Sequence, residues 1–208
     1  MKQLILGISG ASGAPYARRL AQCLAEQDLH LHLVVSPAAR EVMADELGLT
    51  RVTVESLLER PAPNVTLYQH RNIGAKIASG SFLTAGMVIC PCSSHTLAAV
   101  AGGLGDNLIS RAAMVTLKES RKLILVPREM PLSAIEIENM LKLSRAGAVV
   151  CPACPGFYMR PTGVGELVDF VVGRVLDLLG LPHTLRTRWE PERGPAARRG
   201  GAGDVEEV

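Results

Sequence analysis

The sequence predicts an α/β fold: a parallel β-sheet held between two layers of helices. Three observations carry that expectation. Short apolar runs alternate with helical stretches of about 10–15 residues, the pattern of βαβ units. The 208 residues are 48% hydrophobic but only 3% aromatic, and dispersed Ala, Leu, Val and Ile suit strands buried on both faces. Turns rich in Gly, Pro and hydroxyl side chains directly follow several apolar runs, where an open parallel sheet binds its ligands. The length suits one domain with a full core.

Taken in order, Leu4–Ser9 reads as the first strand, followed by a helix through Arg18, Leu20, Leu24 and Glu26. His30–Ser36 is a second strand, Pro37–Leu47 a helix and Val65–His70 a short strand. Arg71–Ser81 (RNIGAKIASGS) has no clear period and reads as a functional loop. Met87–Cys90 is a buried strand, a helix begins over Thr96–Val100, and Leu108–Glu119 is helical. Lys122–Val126 is a strand and Pro131–Ser144 a helix opened by proline. Ala148–Cys151 is the last clear strand, and Gly165–Leu179 the last long helix. Strands joined through helices imply right-handed crossovers and a three-layer αβα sandwich.

Composition excludes several function classes. With 22 basic and 20 acidic residues the net charge is +2, so no global field points to nucleic acid or a membrane surface. No apolar run reaches the roughly 18 residues of a membrane span. The amino terminus, MKQLILGISG, runs straight into a glycine turn, unlike a signal peptide. Five cysteines, an odd number, favour a reducing cytoplasm over a disulfide framework. Residues 190–208 hold three Arg, five acids, four Gly and two Pro, so a disordered tail is expected after a domain of 1–189. Without that tail the body carries about +4, a mild preference for anionic ligands. A mean hydropathy of +0.21 is high for one domain and hints at subunit interfaces.

The strand ends hold the informative residues. Gly7-Ile8-Ser9-Gly10-Ala11-Ser12-Gly13 is spaced GxxGxxG, neither the dinucleotide GxGxxG nor a P-loop. It reads either as a phosphate site built from amides and a helix N-terminus, or as a tight turn with Ser9 or Ser12 as an ordinary cap. The second strand ends at Ser36, where a dinucleotide binder carries an acid for the ribose, so a mononucleotide or small phosphate ester fits better. Cys90-Pro91-Cys92-Ser93-Ser94-His95-Thr96 offers hydroxyls for a ligand, or simply Ser93 or Ser94 as a helix cap. Cys90-x-Cys92 and Cys151-x-x-Cys154 raise zinc and redox readings, against which Cys90 and Cys151 end apolar runs as small hydrophobes. Arg128 and Glu129 lie between prolines at a strand end, a position that favours function for Arg128. Arg111 and Lys118, seven apart, share a helix face and can grip a phosphate, whereas Arg121 and Lys122 read as solvated surface. Tyr158 either binds an anion or, with Phe157, anchors packing. His30 and His32 read as one solvated strand face.

Five segments in order, GISGASGAPYARRL, VVSPAAREVMADE, MVICPCSSHTLAAVAGGLGDNLISRAAMVTLKE, LVPREMPLSAIEIENMLKLSRAGAVVCPACPGFY and LVDFVVGRVLDLLGL, closely resemble the flavin prenyltransferases of the UbiX family. The resemblance covers roughly residues 3–189. It implies a Rossmann-like, flavodoxin-like sheet, a homo-dodecamer and transfer of a dimethylallyl group from dimethylallyl monophosphate to N5 and then C6 of reduced FMN. Prenylated FMN then passes to a UbiD-type decarboxylase, and no metal is required. Carried over by position, Gly10, Ala11, Ser12, Ser36, Ser93, Ser94, His95, Thr96 and Arg128 are expected at FMN. Tyr158, Arg174, Lys118 and Arg111 are expected at the prenyl phosphate, with Trp189 near the prenyl group. Ser12, Glu46 and Glu129 are expected to handle protons, with Lys118 assisting phosphate departure. Two other readings stand beside this one: an FMN-dependent cysteine decarboxylase, for which His70 and His95 lack the context, and a flavin carrier without catalysis.

Overall fold

The structure, a computed structural model, describes residues 1–185 and 187, so Trp189 and the expected tail lie outside the described residues. Strands β1 (Lys2–Ile8), β2 (Leu29–Val35), β3 (Val65–Tyr68), β4 (Gly86–Cys92), β5 (Lys122–Pro127) and β6 (Val149–Val150) form one parallel sheet. Their order, β3-β2-β1-β4-β5-β6, is that of a doubly wound sheet, with its switch point between β1 and β4. The helices are α1 (Ala14–Ala25), α2 (Pro37–Leu47), α3 (Val54–Leu58), α4 (Ser94–Gly102), α5 (Leu108–Lys118), α6 (Ala134–Arg145) and α7 (Val164–Leu179).

Strand side chains alternate between two cores because the pleat has a period of two. Leu4, Leu6 and Ile8 of β1 pack with Leu31, Leu33 and Val35 of β2 against α1, α3 and α7. Ile5 and Val34 face the opposite way, with Met87 and Ile89, against α4 and α5. Both faces are therefore dry, which explains the aliphatic excess.

Several boundaries moved, each for a local reason. α6 starts at Ala134 rather than Pro131 because Ser133 and Glu136 close a capping box there. The unexpected α3 is opened by a second capping box, Thr53 with Ser56, and buries Leu57 and Leu58. The last strand contracts to Val149–Val150. The 71–81 loop contains one 3-10 turn, Lys76–Ala78. His32 is not on a solvated face: it is fully buried, bonded to Gln3 Oε1 (2.7 Å) and the Tyr68 hydroxyl (3.1 Å). A register shift in β4 between Ile89 and Cys92 sends Cys90 into the first core and Cys92 into the second.

α6 buries only Leu143, while Ile135, Ile137 and Leu141 stay exposed, preceded by Met130 and Leu132. No helix among the described residues is long and apolar enough to cross a membrane.

Candidate active site

The carboxyl ends of β1, β2, β4 and β5 meet in one polar cluster. Ser9, buried after β1, donates its hydroxyl to the Pro91 carbonyl (2.9 Å) and accepts from the Ser93 amide (2.8 Å), tying the first turn to the end of β4. Gly13 holds φ at 122°, which side chains rarely tolerate. A Cβ on Gly10 would overlap Ala38 Cβ, so this turn passes α2 at a distance open only to glycine.

Neither Ser9 nor Ser12 caps α1. The cap comes from Glu46 in the last turn of α2: its Oε2 accepts from the Gly13 amide (2.9 Å) and the Ala14 amide (2.7 Å). Partial burial raises the Glu46 pKa, but the Ser12 hydroxyl, those two amides and the Arg128 charge outweigh it, leaving the carboxyl below its ordinary value. Glu46 is thus a carboxylate hydrogen-bonded to Ser12.

Arg128 leaves β5 and donates Nε to the Ser12 carbonyl (2.9 Å). Its neighbour Glu129 accepts from the Ser94 hydroxyl (3.4 Å) and the Met130 amide (3.1 Å). Ser93 caps α4, accepting from the Thr96 amide (3.3 Å) and donating to Thr96 Oγ1 (3.1 Å). Ser36 caps α2 through the Ala39 amide (3.1 Å). His95 is exposed on the first turn of α4. Tyr16 lies in this cluster as well, facing Gly13. Burial first, then Cys90 and Cys154, push its phenol pKa up against the pull of Arg128.

Of the remaining expected residues, Arg111 and Lys118 do not join this cluster within the chain. Arg111 and Lys118 line a cleft of about 450 Å³ beneath α5, opposite Ile73–Ala75 and Ala78–Gly80. Lys118 pairs with Glu119 (2.9 Å), which holds the Glu119 carboxyl below its ordinary value. Lys118 precedes β5 and Arg128 follows it, so the strand, about 20 Å long, separates them. Arg174 sits on α7, across the sheet from α5, with a guanidinium nitrogen 3.3 Å from Asp177 Oδ2. Tyr158 stacks edge-on to Phe170 (5.6 Å between ring centres) and donates to the Thr187 carbonyl (3.4 Å).

All five cysteines are free. Burial pushes the Cys92 thiol up to about 12 and raises that of Cys90 as well. Among the described residues no group of three or more His, Cys, Asp or Glu could hold a metal ion. Sequence reasoning missed Arg121: its side chain is only 13% exposed, not solvated surface, and it donates to the Gly80 carbonyl (2.6 Å) and the Phe82 carbonyl (2.8 Å).

Comparison with known proteins first sets the class. The flavoprotein family model matches residues 1–176. The chain is 44% identical over 197 residues to the flavin prenyltransferase UbiX of Halalkalibacterium halodurans, covering 93% of this chain and 96% of that one. It is 45% identical over 196 residues to the flavin prenyltransferase UbiX of Pseudomonas aeruginosa, at 90% and 94% coverage. A solved structure of AnUbiX (PadA1) in complex with FMN and dimethylallyl pyrophosphate superposes with a TM-score of 0.84 at 38% identity, covering 91% of this chain and 97% of that one. A dodecameric FMN-dependent UbiX-like decarboxylase from Escherichia coli O157:H7 gives 0.81 at 44% identity, with 90% and 99% covered. The chain is a flavoprotein, and within that class it belongs to the UbiX family of flavin prenyltransferases. Peptidyl-cysteine decarboxylase EpiD, at 17% identity and a TM-score of 0.55 over 75% of this chain and 83% of that one, shares the fold alone.

Proposed function

We propose that this chain joins a dimethylallyl group, supplied as dimethylallyl monophosphate, to N5 and C6 of reduced FMN, and that the prenylated FMN so made serves a UbiD-type decarboxylase. The observation that carries this reading is the division of cations. Arg128 stands at the strand-end cluster and Arg174 acts on Cys151 just after β6, while Arg111 and Lys118 line a separate cleft. A carrier that only held a flavin phosphate would have no use for the second set.

The strand-end cluster fits FMN. Among the described residues the Gly10 and Ser12 amides and both Nη atoms of Arg128 donate to no protein acceptor, and they suit a phosphate or the flavin's polar edge. Ala11, Ser36, Ser93, Ser94, His95 and Thr96 complete this wall. Reduced FMN, when bound, supplies the nucleophilic N5 and C6. Lys118, Arg111, Arg174 and Tyr158 bind the prenyl phosphate and stabilise the charge that its oxygen gains as the allylic C–O bond breaks, so positive side chains do the work a metal ion does elsewhere. Ser12 takes up the proton lost at N5 while passing its own to the Glu46 carboxylate that its hydroxyl already faces, and Glu129 serves ring closure as acid/base.

Because α5 and α7 lie on opposite faces, Lys118 and Arg174 meet at one phosphate only if different copies supply them. The exposed apolar face of α6 supports such self-assembly, and we assign a homo-dodecamer. The odd cysteine count supports a cytoplasmic location. Anaerobic incubation with reduced FMN and dimethylallyl monophosphate tests the reading. A covalent flavin adduct heavier by the dimethylallyl group is expected, and its absence by mass spectrometry refutes prenyl transfer.

A further inference from the structure

The chain between β3 and β4 is a long connection with a single 3-10 turn, and part of it walls the cleft that holds Arg111 and Lys118. Its first half is anchored by the buried Ala75, Ile77 and Ala78. Of its second half, 79–82, only Phe82 packs on the core, edge-on to His32 and under Lys76, while 79–81 bury no apolar side chain. Ser79 and Ser81 bond each other (2.9 Å), and Phe82 donates its amide back to Ser79 (3.2 Å). Among the described residues the only hydrogen bonds tying 79–82 to a distant part of the chain come from Arg121, through the Gly80 and Phe82 carbonyls. A planar guanidinium matches two carbonyls spaced this way, and an ammonium does not. Arg121 stands three residues after Lys118. Glu119 lies between them in sequence and in charge, 2.9 Å from Lys118 Nζ and 3.9 Å from Arg121 Nη2.

We propose that Arg121 is a positioning residue: it fixes the Ser79–Gly80 wall against Lys118, so that the cleft is preformed for the phosphate of the prenyl donor. This rests on the prenyl-transfer reading above. The flavin-binding strand ends lie beyond β5 and do not depend on it.

The test uses the full-length enzyme as Arg121→Lys and Arg121→Ala. In steady-state turnover at saturating reduced FMN, KM for dimethylallyl monophosphate is expected to rise about tenfold, with kcat within about threefold and flavin affinity within about twofold. Amide hydrogen exchange of the 73–83 peptide is expected to quicken in the same variants. An unchanged KM overturns the proposal. So does a raised KM without faster exchange, and so does a loss of flavin affinity in step with KM, which marks general damage. Should Arg121→Ala fail to fold, the lysine variant decides, since it keeps charge and bulk. Wild-type enzyme that makes no adduct sinks the prenyl-transfer reading instead, and the clamp is then judged on exchange alone: unchanged exchange overturns it.

Discussion

Glu46 caps a helix to which it does not belong, and Glu46→Gln isolates what its charge contributes. The carboxylate accepts from two amides at 2.9 and 2.7 Å and from the Ser12 hydroxyl. Bonds to a charged acceptor exceed neutral ones by about 1 kcal/mol each, and charge at a helix N-terminus adds about 0.3–1 kcal/mol. Glu46 is exposed along one edge, so screening trims the sum to about 1–2 kcal/mol. Its pKa lies below the ordinary 4.5, so the unfolded chain binds the proton more readily. Stability from this group is therefore complete above the unfolded pKa and lost as pH falls through the folded one. Melts at fixed protein concentration should show the variant about 3–6 °C below wild type at pH 7. The gap should begin to narrow near pH 4.5 and close only below the folded pKa, where wild type also carries a neutral group. A gap that stays constant down to pH 3, or none at pH 7, would refute the assignment of charge-dependent capping.

Three further outcomes are expected. Gly10→Ala forces a Cβ onto Ala38, so it should destabilise by about 1–3 kcal/mol and weaken flavin binding, read by melting and by flavin fluorescence quenching. His32, with its pKa lowered to about 4 by burial and then by His30 and Lys76, stays neutral in the fold while the unfolded chain protonates near 6.5. Wild-type stability should thus decline as pH falls from 6.5 towards 4, and denaturant titrations of His32→Asn should show a shallower decline, with His30 and His70 supplying the rest. Ile135→Asp places a charge on the exposed apolar face of α6 and should shift sedimentation from a large assembly to smaller species, leaving the far-ultraviolet spectrum intact.

The architecture was legible because its signals are local and periodic: alternating apolar runs gave five of the six strands nearly whole. What was illegible depends on distant partners. The GxxGxxG turn suggested a serine cap, yet the cap is a glutamate 33 positions away, which no local pattern announces. His32 looked solvated by its spacing with His30, but Gln3, Tyr68 and Phe82 enclose it from three other segments. Arg121 sits beside Lys122 in a plainly basic stretch, and only the returning 79–82 chain makes it an interior group. Ser133 three residues ahead of Glu136, and Thr53 three ahead of Ser56, are by contrast local signals that mark both capping boxes. The candidate site followed the same rule. Its strand-end half was visible as motifs, whereas the separation of Lys118 from Arg174 needed the helix-to-face assignment.

The register shift in β4 carries a consequence for oxidative chemistry. A protein that handles reduced flavin works beside a source of peroxide, because the free dihydroflavin reacts with oxygen. By turning Cys90 and Cys92 to opposite sides of the sheet, the shift keeps the strand itself between the two sulfur atoms and bars them from closing on one another. Burial also holds both as neutral thiols, the form least open to peroxide attack. One irregular step in a central strand thus shields Cys90 and Cys92, just before the Ser93–Thr96 turn, from the peroxide that free reduced flavin forms with oxygen.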